Sequence, residues 1–433
     1  MRVCAENLRV ESTAKGRSMP RPKVILQVYP MLPAAGEDGR KAARPLGRDS
    51  MAYHKVIHEW TEVLQVAETL GVWGAGAIEH HLHSEGYELG PNPGVLNAWW
   101  AAKLSKIHVG ALGYVMATQD PIRVAEETAI IDHLSEGRFF VGFARGYQSR
   151  WTNILGQFSG GVATVSDGSE ADQKNRDIFE ERVEMVLKCW TEDTLTLKGN
   201  YYQAPFPIET GIENYPAWKI AHEAGGEGET DANGTVRAIS VTPAPFQRPY
   251  PPIFVATSKS DESIRYCARM GFMPMYFAHF DKVKRASKIF TEESAKMGRP
   301  VKPGQGQNIV RWVHICDSEA EYDQKLRDYE LDIYKNFYGP FFPQFPTGDG
   351  DEMIANIKNS GIYVGGTAEQ VRKEWIKMYQ ELPAEYITLV CHFAQQPKED
   401  CIKNIARFMT EVWPYLEYDP DEVRQAKRET ATA

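Results

Sequence analysis

Residues 106–156 constrain this chain more than any other stretch. Residues 107–116 are short, apolar and bounded by polar residues, which predicts a buried strand. Pro121 opens a helix at a position where a missing N–H costs nothing. Val124, Thr128, Ile131 and Leu134 recur on one face of that helix. Ser135, Glu136 and Gly137 close it, and residues 138–144 read as a second strand. Strand, helix and strand in so short a span imply a parallel sheet with a right-handed crossover. In such folds ligands meet the C-terminal ends of strands. The second strand ends in Ala144-Arg145-Gly146: an arginine suited to phosphate, then a glycine that admits close backbone approach. The competing reading is a surface arginine at a turn.

The same alternation extends along the chain. Strands are expected to start near residues 23, 71, 107, 138, 253, 272, 308 and 385, nearly all followed by amphipathic helices. The clearest helix, 53–70, places Val56, Trp60, Val63, Leu64, Ala67 and Leu70 on one face. Eight such units predict an α/β fold, a (β/α)8 TIM barrel over residues 23–416. An open doubly wound sheet would alternate similarly. Two insertions interrupt the pattern. Residues 191–249, after strand 4, lack a sustained helical period, suggest a hairpin about Gly199-Asn200, and carry a run at 225–234 that reads as flexible. Residues 337–366, after strand 7, are aromatic, Pro/Gly-rich and irregular, with one short helix near 353–359. Residues 31–49 read as loop, 1–22 as a disordered arm, and 417–433 as a charged tail.

A formal net charge of −9 argues against a nucleic-acid partner, which needs a basic face. No apolar run approaches a membrane span, and the start lacks the apolar core of a secretory signal. The six cysteines form no CxxC pair, so buried thiols in a reducing cytoplasm are expected.

Four features then carry a resemblance. Asp120-Pro121, the AEE run at 125–127, the HLSEGRF run at 133–139 and GFARG at 142–146 stand in fixed order, continued by 151–156. In that order and spacing the chain resembles the bacterial luciferase-like flavin monooxygenase family. The resemblance implies the barrel, with a long excursion after the seventh strand. It implies reduced FMN and O2 as co-substrates, a C4a-peroxyflavin, and a small, largely apolar organic substrate. It also implies a separate flavin reductase, since no GxGxxG turn for a nicotinamide nucleotide is present, and a homodimer. A deazaflavin (F420) enzyme transferring hydride without oxygen is the alternative cofactor reading. A non-catalytic flavin-binding subunit is a further one.

Glu79-His80-His81-Leu82-His83 is the densest polar cluster. Neighbours at a strand end point to opposite faces, so one histidine can face the barrel mouth, and imidazole suits acid–base work. The resemblance assigns that role to His80. His81-Leu82-His83 also has the HxH form of barrel metal hydrolases, with His279 and His392 as further ligands to consider; without a convincing complement, no metal is expected. The resemblance places the flavin phosphate on Ser258, Ser260 and Arg145, with Thr257, Ala256 and Gly146 adjacent, where a strand end meets a helix N-terminus. Thr257 replaces an acidic residue of the luciferases, and Asp261 stands where they have threonine. Leu112-Gly113 matches a place where family members often carry a non-prolyl cis peptide. Tyr114, Met116, Tyr147 and Gln148 are expected as flavin-pocket walls, and the aromatic run at 337–345 as a lid over an apolar substrate.

Overall fold

The computed structural model of the protein describes residues 21–257, 260–342 and 348–417. Eight strands form the centre: β1 (Lys23–Pro30), β2 (Gly74–Ala77), β3 (His108–Ala111), β4 (Phe139–Ala144), β5 (Ile253–Thr257), β6 (Met273–Tyr276), β7 (Asn308–Cys316) and β8 (Tyr386–Phe393). Every strand is parallel to its sequence neighbours. β8 pairs with β1 from Lys23↔Tyr386 to Pro30↔Phe393, and Asn308↔Met275 joins β7 to β6, so the sheet closes into the expected (β/α)8 barrel.

β1 reads KVILQVYP and is buried beyond its first residue, as a strand covered on both faces must be. β2 reads GAGA instead. A Cβ on Gly76 would stand 2.7 Å from Leu112 Cγ, and one on Gly110 would stand 2.5 Å from the Phe140 ring. Small residues in β2 and β3 thus make room for larger ones on or just past the neighbouring strand. Trp73, Phe140, Phe254 and Tyr386 close the barrel floor, with ring centroids 5.1–5.5 Å apart. Each of the three buried ones, Phe140, Phe254 and Tyr386, contributes about 1.5–3 kcal/mol relative to exposure. The open end is therefore the C-terminal one.

The helices are α1 (Ser50–Thr69), α2 (Pro93–Lys103), α3 (Pro121–Leu134), α4 (Glu170–Thr191), α5 (Asp261–Met270), α6 (Phe280–Lys296), α7 (Ala368–Glu381) and α8 (Lys398–Arg407). Asp49 caps α1 through the Met51 and Ala52 N–H groups, and Trp60 packs on Trp100 of α2. In α3, Val124, Thr128 and Ile131 are buried as predicted; Leu134, in the last turn, is 55% exposed.

Three irregular stretches hold more structure than their sequences suggest. Residues 31–49 include a helix, Gly36–Ala42, whose buried Arg40 pairs with Asp332 at 2.8 Å. The first insertion has its hairpin, Leu197–Lys198 against Gln203–Ala204, plus a short helix, Trp218–Ala224. Its 225–234 run, expected to be flexible, contains a hydrogen-bonded turn: Asp231 accepts from the Asn233 and Thr235 amides and from Arg237. After β7 the chain is helical from Glu319 to Phe341, with π turns at Leu326–Glu330 and Tyr334–Tyr338. Gly350–Asn359 is helical too, and Tyr363–Thr367 is a strand. Trp312 pairs with Val390 on one side and Tyr363 on the other, so this strand continues the β6 edge of β7.

Residues 1–20 and 418–433, most of the expected arm and tail, lie outside the described residues. At their borders, Trp413 Nε1 donates to the Pro22 carbonyl at 2.8 Å. No helix of the described residues is long and apolar enough to cross a membrane.

Candidate active site

The C-terminal strand ends surround a cavity of about 950 Å³. One end of it is cationic. Arg145 follows β4. Gly146 after it has φ +83°, and a Cβ at that position would stand only 2.6 Å from Val115 Cγ1. The Arg145 guanidinium is largely spent on α4: Nε donates to Asn175 Oδ1 at 3.0 Å, and Nη2 to the Asp172 carbonyl and carboxylate. Nη1 is buried without a partner among the described residues. Burial pulls the arginine's proton affinity down, opposed by Asp172. Arg176, one turn further along α4, donates to Ser260 Oγ at 3.2 Å. Ser260 in turn caps α5 through the Ser263 amide. Two guanidinium groups, two serines and a helix N-terminus therefore share one end of the cavity, a set suited to an anion. Asp261, which could oppose that anion, is an ion-pair partner of Arg285.

The opposite end is built on β2. Glu79 is buried and accepts from the Val115 amide at 2.7 Å and Gln119 at 2.8 Å, which fixes the turn after β3. His81 turns to the same carboxylate at 3.1 Å, while His80 lines the cavity. The His80 amide donates to the Gly90 carbonyl, and its Nδ1 stands 2.8 Å from Glu88 Oε2. Glu88 is 1% exposed, and the Tyr338 hydroxyl donates to its other oxygen. Burial alone would raise the Glu88 carboxyl; His80, His392 and the tyrosine hydroxyl outweigh it and bring the pKa below the ordinary value. Tyr147, Phe277, Trp312 and Phe342 add an aromatic wall, with Phe342 4.9 Å from Tyr147 across the mouth.

The luciferase-like monooxygenase profile matches residues 39–386. The chain belongs to that family. Among curated relatives of this luciferase-like monooxygenase, the 3,6-diketocamphane 1,6-monooxygenase of Pseudomonas putida is 22% identical over 295 residues, covering 67% of this chain and 72% of the relative. The fold matches that of the oxygenating constituent of 3,6-diketocamphane monooxygenase from Pseudomonas putida, solved with FMN, at TM-score 0.66 and 16% identity, covering 92% and 98% of the two chains. It also matches an F420-dependent secondary alcohol dehydrogenase, at TM-score 0.58 and 12% identity, covering 92% and 100%.

Nine residues expected in the luciferase-like site, His80, Leu112, Gly113, Arg145, Gly146, Tyr147, Ala256, Thr257 and Ser260, do line this one cavity. Ser258 lies outside the described residues. Tyr114 does not line it. The strand expected over 107–116 breaks at Gly113 (φ +157°), and Tyr114–Val115 then pairs with β4. That break turns Val115 inward and Tyr114 outward, where its hydroxyl donates to Glu127 at 2.9 Å. Met116 is likewise in the outer core, and Gln148 is engaged by His83 and Trp151. The Leu112–Gly113 bond is not cis; the cis bonds of the described residues all precede proline. His81 and His83 of the HxH run have separate partners, Glu79 for one and Tyr87 and Gln148 for the other.

Glu88 and Arg176 are the residues that sequence reasoning missed; Tyr338 falls in the aromatic run expected as a lid, but its contact with Glu88 was not foreseen. Arg176 carries a faint signal, one of four cationic positions, with Lys174, Arg182 and Lys188, on an otherwise ordinary amphipathic helix. Glu88 carries none, and nothing local foretells its meeting with Tyr338 across 250 positions of sequence.

Proposed function

We propose that the protein is an FMN-dependent monooxygenase acting on a small, largely apolar organic substrate. The observation that carries this is the buried Arg145 Nη1, without a partner among the described residues, at the cavity end shared with Arg176 and Ser260. A buried guanidinium N–H without an acceptor costs about 1–3 kcal/mol, and a phosphate oxygen removes that cost. Arg145, Arg176, Ser260 and Ser263 would hold the phosphate; Leu112, Gly113 and Ala144 would border the ring. Reduced flavin supplies the electrons and activates dioxygen. The chain's own part is to grip the phosphate, exclude water with the aromatic wall, and exchange a proton at His80. The reduced cofactor would come from a separate reductase, and a homodimer is the expected assembly. Membership of a monooxygenase family supports this reading.

Titration of the purified protein with FMN and with riboflavin tests it. FMN should bind far more tightly, and Arg145→Met should narrow that difference about 10- to 100-fold. His80→Ala should retain FMN binding and lose most turnover; near-full turnover would remove His80 from its role. The F420 reading is the alternative, raised by the likeness of fold to the alcohol dehydrogenase. Oxygen uptake with reduced FMN, against substrate-dependent hydride transfer with reduced deazaflavin, separates the two.

A further inference from the structure

Behind His80 runs a chain of buried polar groups that the proposed reaction does not yet use. Glu88 and His392 are 1% and 0% exposed, and Glu330 is 0% exposed. Tyr338 donates to Glu88 Oε1, so its oxygen faces His392 Nε2, 2.9 Å away, as an acceptor. His392 Nδ1 stands 2.6 Å from Glu330 Oε2. Glu330 also meets His314 Nε2 at 3.0 Å and the Tyr363 hydroxyl at 2.7 Å. Both nitrogens of His392 thus face acceptors, which requires the doubly protonated ring. The imidazolium lies between two carboxylates, one reached directly and one through a tyrosine hydroxyl. Tyr29 stands between the two imidazoles, 6.4 Å from His80 and 6.1 Å from His392, nearly parallel to both.

Glu88 is held in place at a cost. Its φ of +41° is left-handed, unusual for a residue with a side chain. The Leu89 amide on the Pro30 carbonyl and the His80 bridge to Gly90 fix it there. Strain of this kind persists where the surroundings over-determine it, often at functional positions. Its Oε2 and His80 Nδ1 are both buried, and neither makes a full hydrogen bond; they approach each other obliquely at 2.8 Å. Each is therefore the nearest counterpart the other has.

We propose that Glu88 is a positioning residue of the reaction, keeping the His80 proton on Nδ1, and that Tyr338, His392 and Glu330 keep Glu88 ionised for that task. His80 then presents Nε2 to the cavity. As an acid the ring releases the Nε2 proton to the reacting atom and is left neutral with its Nδ1–H on Glu88. As a base it accepts a proton at Nε2, and the new imidazolium has its counter-ion already in contact. In both directions only the Nε2 bond changes. Tyr338 comes from the excursion after β7, so that excursion contributes to the acid–base unit as well as to the pocket wall.

The inference rests on His80 as the proton-exchanging group, but its first test does not need cofactor. In flavin-free protein labelled with ¹⁵N-histidine, the His80 resonances, assigned by their loss in His80→Gln, should report the Nδ1–H tautomer. His392 should report protons on both nitrogens near neutral pH. Glu88→Gln should shift His80 toward the Nε2–H tautomer. It should also lower kcat about 100-fold, within the range of general acid–base effects, with KM little changed. Tyr338→Phe, which keeps the ring, should lower kcat less and shift the pH profile of kcat. A wild-type His80 carrying its proton on Nε2, or a neutral His392, overturns the proposal, as does a Glu88→Gln protein with unchanged tautomer and kcat. If Glu88→Gln does not fold, the wild-type resonances and Tyr338→Phe still decide. Turnover in His80→Ala would instead strike the functional reading and leave the tautomer result standing.

Discussion

Arg145 shows how one side chain can hold two elements together and still leave a donor over. Nε and Nη2 tie β4 to α4, and Nη1 is left over. Arg145→Met should therefore cost FMN affinity about 10- to 100-fold, the equivalent of about 1.5–3 kcal/mol for hydrogen bonds to a charged group. Riboflavin, which lacks the phosphate, should be bound almost as before, and fluorescence quenching of the flavin measures both. The Glu330–His392 pair makes a second prediction. Burial would lower His392, but the Glu330 carboxylate outweighs it, with Glu88 adding, so its pKa lies above the ordinary 6.5. Burial would raise Glu330, but His392 and His314 outweigh it and hold it below 4.5. The histidine's contribution to stability is complete below 6.5 and lost as pH rises through its higher folded value. The glutamate's is complete above 4.5 and lost as pH falls through its lower one. Urea unfolding across pH should show Glu330→Gln destabilised by about 3–5 kcal/mol, with the deficit from wild type greatest between those two values and smaller on either side. The arginine could be picked out beforehand because it ends a strand in a parallel unit. The histidine–glutamate pair could not, because its members sit 62 positions apart with no local pattern linking them.

Among the elements, α3 joins barrel and insertion. Asp120 caps it through the Ile122 and Arg123 amides, both at 3.0 Å, and its other oxygen accepts from Tyr202 of the insertion at 2.8 Å. Asp120→Ala should destabilise the protein by about 1–2 kcal/mol through the cap alone, read as an earlier urea midpoint. It should also loosen the hairpin, seen as faster amide exchange around Leu197 and Ala204. The helix itself was legible: Pro121 at its first position and apolar residues at helical spacing are local signals. So were all eight barrel strands, because strands covered on both faces read as apolar runs. The strand Tyr363–Thr367 was not. Its sequence, YVGGT, has little strand preference, and it forms because β7 outruns β6 and leaves an edge to pair with. Tyr114 was misplaced for a related reason. Counting alternate faces along one strand fails once Gly113 interrupts the strand.

At the scale of the whole molecule, the electron supply can be argued from the architecture. The barrel floor is filled by aromatic rings, and the large cavity is at the C-terminal end. Its volume of about 950 Å³ is near the top of the range for single-ligand pockets, about 300–1,000 Å³, which leaves room for a substrate beside a flavin ring. Among the described residues the cationic end has one cluster, Arg145 and Arg176 with Ser260, a set suited to one phosphate rather than to the two of a dinucleotide. The sequence likewise has no glycine-rich dinucleotide turn. The purified protein should therefore fail to oxidise NADH or NADPH with FMN present. Chemically reduced FMN should restore oxygen uptake without any second protein, and a flavin reductase with nicotinamide nucleotide should do the same catalytically. An oxygen electrode, with each component omitted in turn, reads all of this. NADH oxidation by the isolated chain at a rate matching its oxygen uptake would show that this barrel takes electrons directly, and the separate reductase would have to be abandoned.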